Sequence, residues 1–402
     1  MTMAWRNIWR NKIRSLVIMC SISLGLLAGF FVLALYQGMM DSRIRTVISS
    51  EEGNLQIHHP QFSEDFSPDL IIPNKNEIRQ ILLTDDRVQA FCFRSIAMGM
   101  LNTVSGSAGI RMMGVDMKEE AFMTQLHKKI RDGGLPDSTE INKLVIGKKL
   151  ADKLKIKTGN KVVFTCTDTA KNIISAAFRV KGIYESNNAP RDEQFVYISA
   201  AALNELLGMS NVSHEAAVLL KNNENTEWVQ QDLKKQFPFL KIESWMQLSP
   251  ETDLMVSTVD SMSSIIMGII LFALAFGIVN TMLMAILERT RELGLMMALG
   301  TNKLTIFLLV FWETVLLTIA GVPLGFLASI TWISHLHRQG LDFSNLDKEV
   351  MSSFGFDAVI YPVFPTDKIG IVLIIVILTA VLSSLIPSFK ALGLKPTEAL
   401  RK

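Results

Sequence analysis

The chain reads as an α-helical membrane protein with four transmembrane helices and a large extracytoplasmic α+β domain inserted between helices 1 and 2. Three observations predict this. Apolar runs at 15–36, 264–287, 305–333 and 369–387 each come close to or exceed the ~20 residues that span a hydrocarbon core. The polar stretch 37–263 alternates strand-like and helix-like segments. Bases outnumber acids in the short segments at the two chain ends, whereas the short loop 334–368 carries more acids than bases.

Composition sets the outer limits. At 402 residues, 49% of them hydrophobic, the chain can hold both a membrane bundle and a folded domain. A net charge of +2 leaves no basic excess for nucleic acid. The three cysteines, Cys20, Cys92 and Cys166, show no metal-ligand spacing. Cys92 and Cys166 both fall in the polar stretch, and two readings stand for them, free thiols or a disulfide formed outside the cytosol.

The first run follows Arg6, Arg10, Lys12 and Arg14 with no acid among them. It is too long for a cleaved signal peptide, which predicts an uncleaved anchor. Residues 1–14 place Trp5, Ile8, Trp9 and Ile13 at helical spacing among bases. That pattern fits either a cytoplasmic amphipathic helix in the inner headgroup layer or a bare topology signal. The tail 388–402 is also basic, whereas 334–368 carries five acids against three bases. The bias places both termini in the cytoplasm, 37–263 and 334–368 outside, and 288–304 inside.

Within 37–263, a strand is expected at 54–58, a helix at 74–83, and strands at 91–97 and 110–115. Ile146, Leu150 and Leu154 mark an amphipathic segment. Lys161–Thr167 and Ile173–Tyr184 form a hairpin around 168–172, and a strand at 195–198 precedes a helix at 199–207. A strand near 216–221 and a helix near 225–236 follow. Residues 118–142 and 185–193 read as loops, and His58–His59 as a solvated pair. From 243 to 263 a stalk leads back to the membrane.

Inside the runs, Ser21, Gly25 and Gly29 form a small-residue stripe that lets helix backbones approach closely. Ser264 with Gly268, Ala273 with Gly277, and Gly321 with Gly325 repeat the spacing. Asn280 is a polar group in an apolar span, expected to bond to a neighbouring helix. Glu313 is the acid within an apolar run; it is either functional or paired near the inner interface with Arg289 or Lys303.

The residues between the second and third runs carry the sharpest pattern. Glu288, Arg289, Arg291 and Glu292 open a short segment that continues Leu293, Gly294, Leu295, then Ala298, Leu299 and Gly300. Leu293, Met296 and Met297 give it one apolar stripe, and Gly300 is the expected stop. This run resembles the cytoplasmic coupling helix of FtsX-like ABC transporter permeases, the family of lipoprotein-releasing and macrolide-export permeases. Other stretches are similar to that family as well: Asn54–Pro60, Gly114–Asp116, Val145–Gly147, Thr158-Gly159, Val180–Ile183 and Leu394–Arg401. Asn280-Thr281-Met282 and Val359–Pro362 resemble the lipoprotein-releasing branch.

The resemblance implies a permease subunit that is not itself an enzyme. The sequence contains no G-x-x-x-x-G-K pattern followed by Ser or Thr, so ATP and Mg are expected in a partner ATPase, with no cofactor bound here. The implied partners are that ATPase, a second permease copy or paralogue, a periplasmic carrier or adaptor, and membrane lipids. The implied location is a bacterial inner membrane. Lipoprotein, or another lipidated or amphipathic cargo, would be extracted between the first two spans, lined by Leu26, Phe30, Met267, Leu271 and Phe272. The alternatives are mechanical control of a periplasmic hydrolase or sensor, and export of peptides or drugs with an adaptor.

Overall fold

Uninterrupted apolar sequence gives helices here, and those helices outrun the apolar runs that announce them. The computed structural model describes residues 12–137, 140–343, 355–357 and 359–392. Among the described residues, four helices are long and apolar enough to cross a membrane: Lys12–Val47, Pro250–Glu288, Lys303–Gln339 and Ile369–Leu392. The first continues past position 36 to Val47, because Gln37, Asp41 and Ser42 end the apolar run without breaking a helix. Trp5, Ile8 and Trp9, and the tail from Leu394 to Arg401, lie outside the described residues.

The chain divides into two units. A helix unit comprises Met1–Met40, Val256–Asp342 and Val359–Lys402, and an α/β unit comprises Asp41–Met255 and Phe343–Ala358.

In the helix unit, small residues set the spacing of the long helices. A Cβ on Gly25 would sit 3.0 Å from Leu274, and one on Gly29 would sit 3.2 Å from Met267. The first and third helices approach more closely still, since a Cβ on Gly325 would lie 2.7 Å from the Ser23 Cα. The Ser23 hydroxyl donates to the Gly321 carbonyl at 3.1 Å. The half-buried Ser21 turns its hydroxyl back to the Val17 carbonyl on its own helix. No atom of the described residues lies within 4 Å of a Cβ placed on Gly268 or Gly277.

The α/β unit is built on one ten-stranded sheet. Its strands are β1 (Leu55–His58), β2 (Val88–Thr103), β3 (Gly106–Val115), β4 (Ile130–Gly133), β5 (Lys143–Gly147), β6 (Lys161–Thr167), β7 (Ile173–Tyr184), β8 (Phe195–Ser199), β9 (Glu215–Leu220) and β10 (Lys241–Ser244). They run in the order β10-β1-β9-β2-β3-β8-β5-β7-β4, with β6 pairing β2 and β7. The expected hairpin is β6–β7, in register from Lys161 opposite Arg179 to Thr167 opposite Ile173. Along β6, Val162, Phe164 and Cys166 alternate into the core, which fixes that register.

Three expectations within this unit are corrected. Ile146 belongs to β5, and the helix begins only at Lys148 (Lys148–Leu154), because the Val145-Ile146 pair favours a strand. The expected loop 118–142 holds helices Met117–Thr124 and Leu126–Lys129 and strand β4. Asp116 caps the first of these by accepting from the Lys118 and Glu119 amides. The expected loop 185–193 holds helix Ala189–Gln194, capped by Asn188. The third long helix ends at Gln339, before Gly340 at φ +72, and Leu341–Asp342 pairs with Val359–Ile360.

Candidate coupling site

The short segment between the second and third long helices folds as helix Thr290–Ala298. Gly300 closes it at φ +92, a conformation that costs glycine little. The Leu299 amide donates to Leu295 and the Thr301 amide to Met296, which satisfies the last turn.

The ten residues singled out in the sequence divide into an anchored set and a presented set. Arg289, Leu293 and Gly294 are buried. Leu293 packs into the core of the helix unit beside Ile286, Ile306 and Val310. Glu288, Arg291, Glu292, Leu295, Ala298, Leu299 and Gly300 are exposed. Leu293, Met296 and Met297 thus turn toward the protein's own bundle, while Leu295 and Leu299, one turn apart, face out at 52% and 78% exposure.

Glu313 explains the anchoring. The Arg289 Nη1 donates to both Glu313 carboxylate oxygens, at 3.1 and 3.2 Å, and both side chains are nearly buried. Of the two bases considered, the structure selects Arg289. The pair ties the start of the short helix to the third long helix (Lys303–Gln339).

The residues expected to line a cargo path are placed differently. Leu26, Phe30 and Met267 lie in the packed core, with Leu271 against it. Phe30 stacks on Phe364 at 5.2 Å and meets Phe326 edge-on at 5.9 Å. Only Phe272 of the five is exposed, because the seam between the first two long helices is closed by Gly25 against Leu274 and Gly29 against Met267. Asn280 is exposed as well, and no hydrogen bond reaches it among the described residues.

The α/β unit holds charged side chains that sequence reasoning missed. Arg94 on β2 is fully buried, with Glu120 2.9 Å and Glu215 2.8 Å from its guanidinium. Arg191 bonds Glu52 at 2.9 Å and stacks over Phe195 at 4.0 Å. Burial alone would raise the Glu52 carboxyl, but the nearby Arg191, Arg94 and Arg111 charges outweigh it and hold it low. Asp192 goes the other way: burial pushes it up to about 6 despite its bonds from Ser186. His58 is also corrected; it is buried, with Nε2 2.7 Å from Glu243. The clue was the short β1–β10 pairing, which sets His58 beside Lys241 and so near Glu243. Cys92 and Cys166 are free thiols in different core clusters.

The MacB-like periplasmic core domain matches residues 15–236, and the FtsX-like permease C-terminal domain matches residues 264–396. The chain belongs to this family of ABC transporter permeases. It is a membrane protein with an α/β unit of the MacB-like type. An uncharacterized ABC transporter permease of Bacillus subtilis, YvrN, is 22% identical over 442 residues, 99% of this chain and 98% of that one. Macrolide export ATP-binding/permease protein MacB 1 of Yersinia pestis is 22% identical over 349 residues, and the match spans 80% of this chain but only 50% of that relative. Among solved structures, the periplasmic region of MacB from Actinobacillus actinomycetemcomitans matches 52% of this chain and 95% of its own, at 13% identity and a TM-score of 0.37.

Proposed function

We propose that this permease couples ATP hydrolysis in a partner ATPase to movement of its α/β unit, and so moves an amphipathic cargo outward. The carrying observation is the short helix Thr290–Ala298, pinned by Arg289–Glu313 while it presents Leu295, Leu299, Arg291 and Glu292. A rigidly seated helix with an apolar pair and flanking charges suits a groove on a cytoplasmic partner. ATP and Mg belong to that partner. In this reading the helix is cytoplasmic and the α/β unit lies outside, which the charge bias of the sequence supports, and the family resemblance supports a bacterial inner membrane.

A second permease copy or paralogue covers the outward face of the second long helix (Pro250–Glu288). Phe272 and Phe276 are exposed there with Asn280, and a polar amide facing lipid is costly. Two cargo readings follow. Resemblance to the lipoprotein-releasing branch at 280–282 and 359–362 supports lipoprotein, delivered to a periplasmic carrier. The macrolide export named for the MacB relatives supports export of a drug or peptide instead, for which an adaptor is the expected partner.

Capture of the full-length protein in mild detergent, with bound proteins and lipids identified by mass spectrometry, tests both levels. The parent is expected to bring down an ATPase, and the double variant Glu292→Lys, Leu295→Asp to lose it. Capture of no ATPase by the parent would overturn the coupling reading. Acylated proteins favour the lipoprotein cargo, and an adaptor without them favours export.

A further inference from the structure

We infer that Arg43 and Glu51 form a charged joint that clamps together the chain segments by which the α/β unit is reached from the long helices. Those segments are the end of the first long helix (Lys12–Val47), the start of the second (Pro250–Glu288), and residues 355–357, and every side chain of the joint lies within the α/β unit. Each of them contacts the same few side chains. Arg43 Nη1 donates to the Glu51 carboxylate at 3.0 Å, and Nη2 donates to the Thr252 hydroxyl at 3.3 Å. Gly355, at φ +72, packs on that guanidinium, where a Cβ would come within 2.7 Å of Nη1. One residue before Arg43, Ser42 donates to Asp357 at 2.6 Å, and Asn187 donates to the other oxygen of the same carboxylate.

Glu51 connects this cluster to the sheet. It sits in a single π turn, Ile48–Glu52, directly after the first long helix. Carbonyls in the last turn of a helix lack partners within it. The Glu51 carbonyl finds two, Arg191 at 3.1 Å and Arg94 at 3.4 Å. Its carboxylate takes Asn188 at 2.8 Å besides Arg43. Arg94 is in turn fixed on β2 by Glu120 and Glu215. A chain of charge-assisted bonds therefore runs from the first long helix into the middle of the sheet. Buried ion pairs contribute little net stability, yet they fix geometry and are costly to break singly. The joint's role is accordingly positional: the two helix ends cannot separate without releasing Arg43. This explains how the coupling proposed above is carried, and it rests on that reading only for its use.

The test needs no ATPase, so it stands or falls separately from the capture experiment. Spin labels are placed on the full-length protein at Arg45→Cys and Glu251→Cys, both exposed positions, in a Cys20→Ser background. Pulsed dipolar spectroscopy then reads the distance distribution. The parent is expected to give one narrow population. Arg43→Met should broaden it by about one helical turn, roughly 5 Å, and Thr252→Val should broaden it less. A folded Arg43→Met protein, with the parent's circular dichroism and melting, that keeps the parent's distribution overturns the joint. If Arg43→Met does not fold, an unchanged width in Thr252→Val overturns it instead.

Discussion

The helix unit and the α/β unit both bury charge, but they do so differently. In the helix unit, Arg289 and Glu313 form a pair that pins one short helix to one long one. In the α/β unit, Arg43, Glu51, Arg191, Arg94, Glu120 and Glu215 form a connected set that reaches from a helix end to the central strand. A pair fixes where one element sits. A connected set fixes several elements to one another, so removing a member disturbs all of them.

The largest break in this comparison should come from Arg94→Met. It leaves the Glu120 carboxylate, fully buried, without its guanidinium. Urea unfolding of the full-length protein, followed on the α/β unit, is expected to show a loss of about 3–5 kcal/mol. A loss near zero would mean that the set is not connected energetically.

Next comes the acid limb. The Asp192 carboxyl is raised from 3.8 to about 6, chiefly by burial. Its folded value lies above its unfolded one, so its contribution is present below the unfolded value and is lost as pH rises toward about 6. At neutral pH this amounts to about 3 kcal/mol of destabilisation. Asp192→Asn should therefore melt higher than the parent at pH 7, with the gap closing by about pH 4. His214 opposes this trend: burial lowers it below 6.5, so its contribution is present above that value and is lost on acidification. A gap that does not change with pH would remove Asp192 from the account.

In the helix unit the sensitive feature is spacing rather than charge. Gly325→Leu must push a side chain against the Ser23 backbone, and detergent-solubilised protein should lose about 1–3 kcal/mol by thermal unfolding. Gly268→Leu, with open space around it, should lose none in the same assay. Equal losses would show that glycines with open space around them matter as much as packed ones. The smallest effect belongs to Arg131→Ala, an exposed side chain paired with half-buried Glu185; about 0–1 kcal/mol is expected in urea.

The same contrast governs what could be read from the sequence. Glu313 stands out because an acid inside an apolar run demands a base, and few bases lie within reach. The short helix is legible for a related reason: its charges and its Gly300 stop lie within thirteen consecutive positions. Arg94 offers no such signal. Its partners lie 26 and 121 positions away, and only the strand pairing brings them together. The first long helix was read short because hydropathy reports where the apolar run ends, and Gln37 to Val47 remain helical beyond it. Leu26 and Phe30 show the opposite limit: an apolar residue in a membrane helix has the same pattern whether it meets cargo, lipid or another helix.

The two thiols of the α/β unit have a practical consequence. Burial raises Cys92 well above its ordinary range and Cys166 to about 11. At neutral pH neither supplies the thiolate that oxidants and exchange partners attack. The unit should therefore mature equally well with or without an oxidising catalyst in its compartment, and added reductant should leave its melting unchanged.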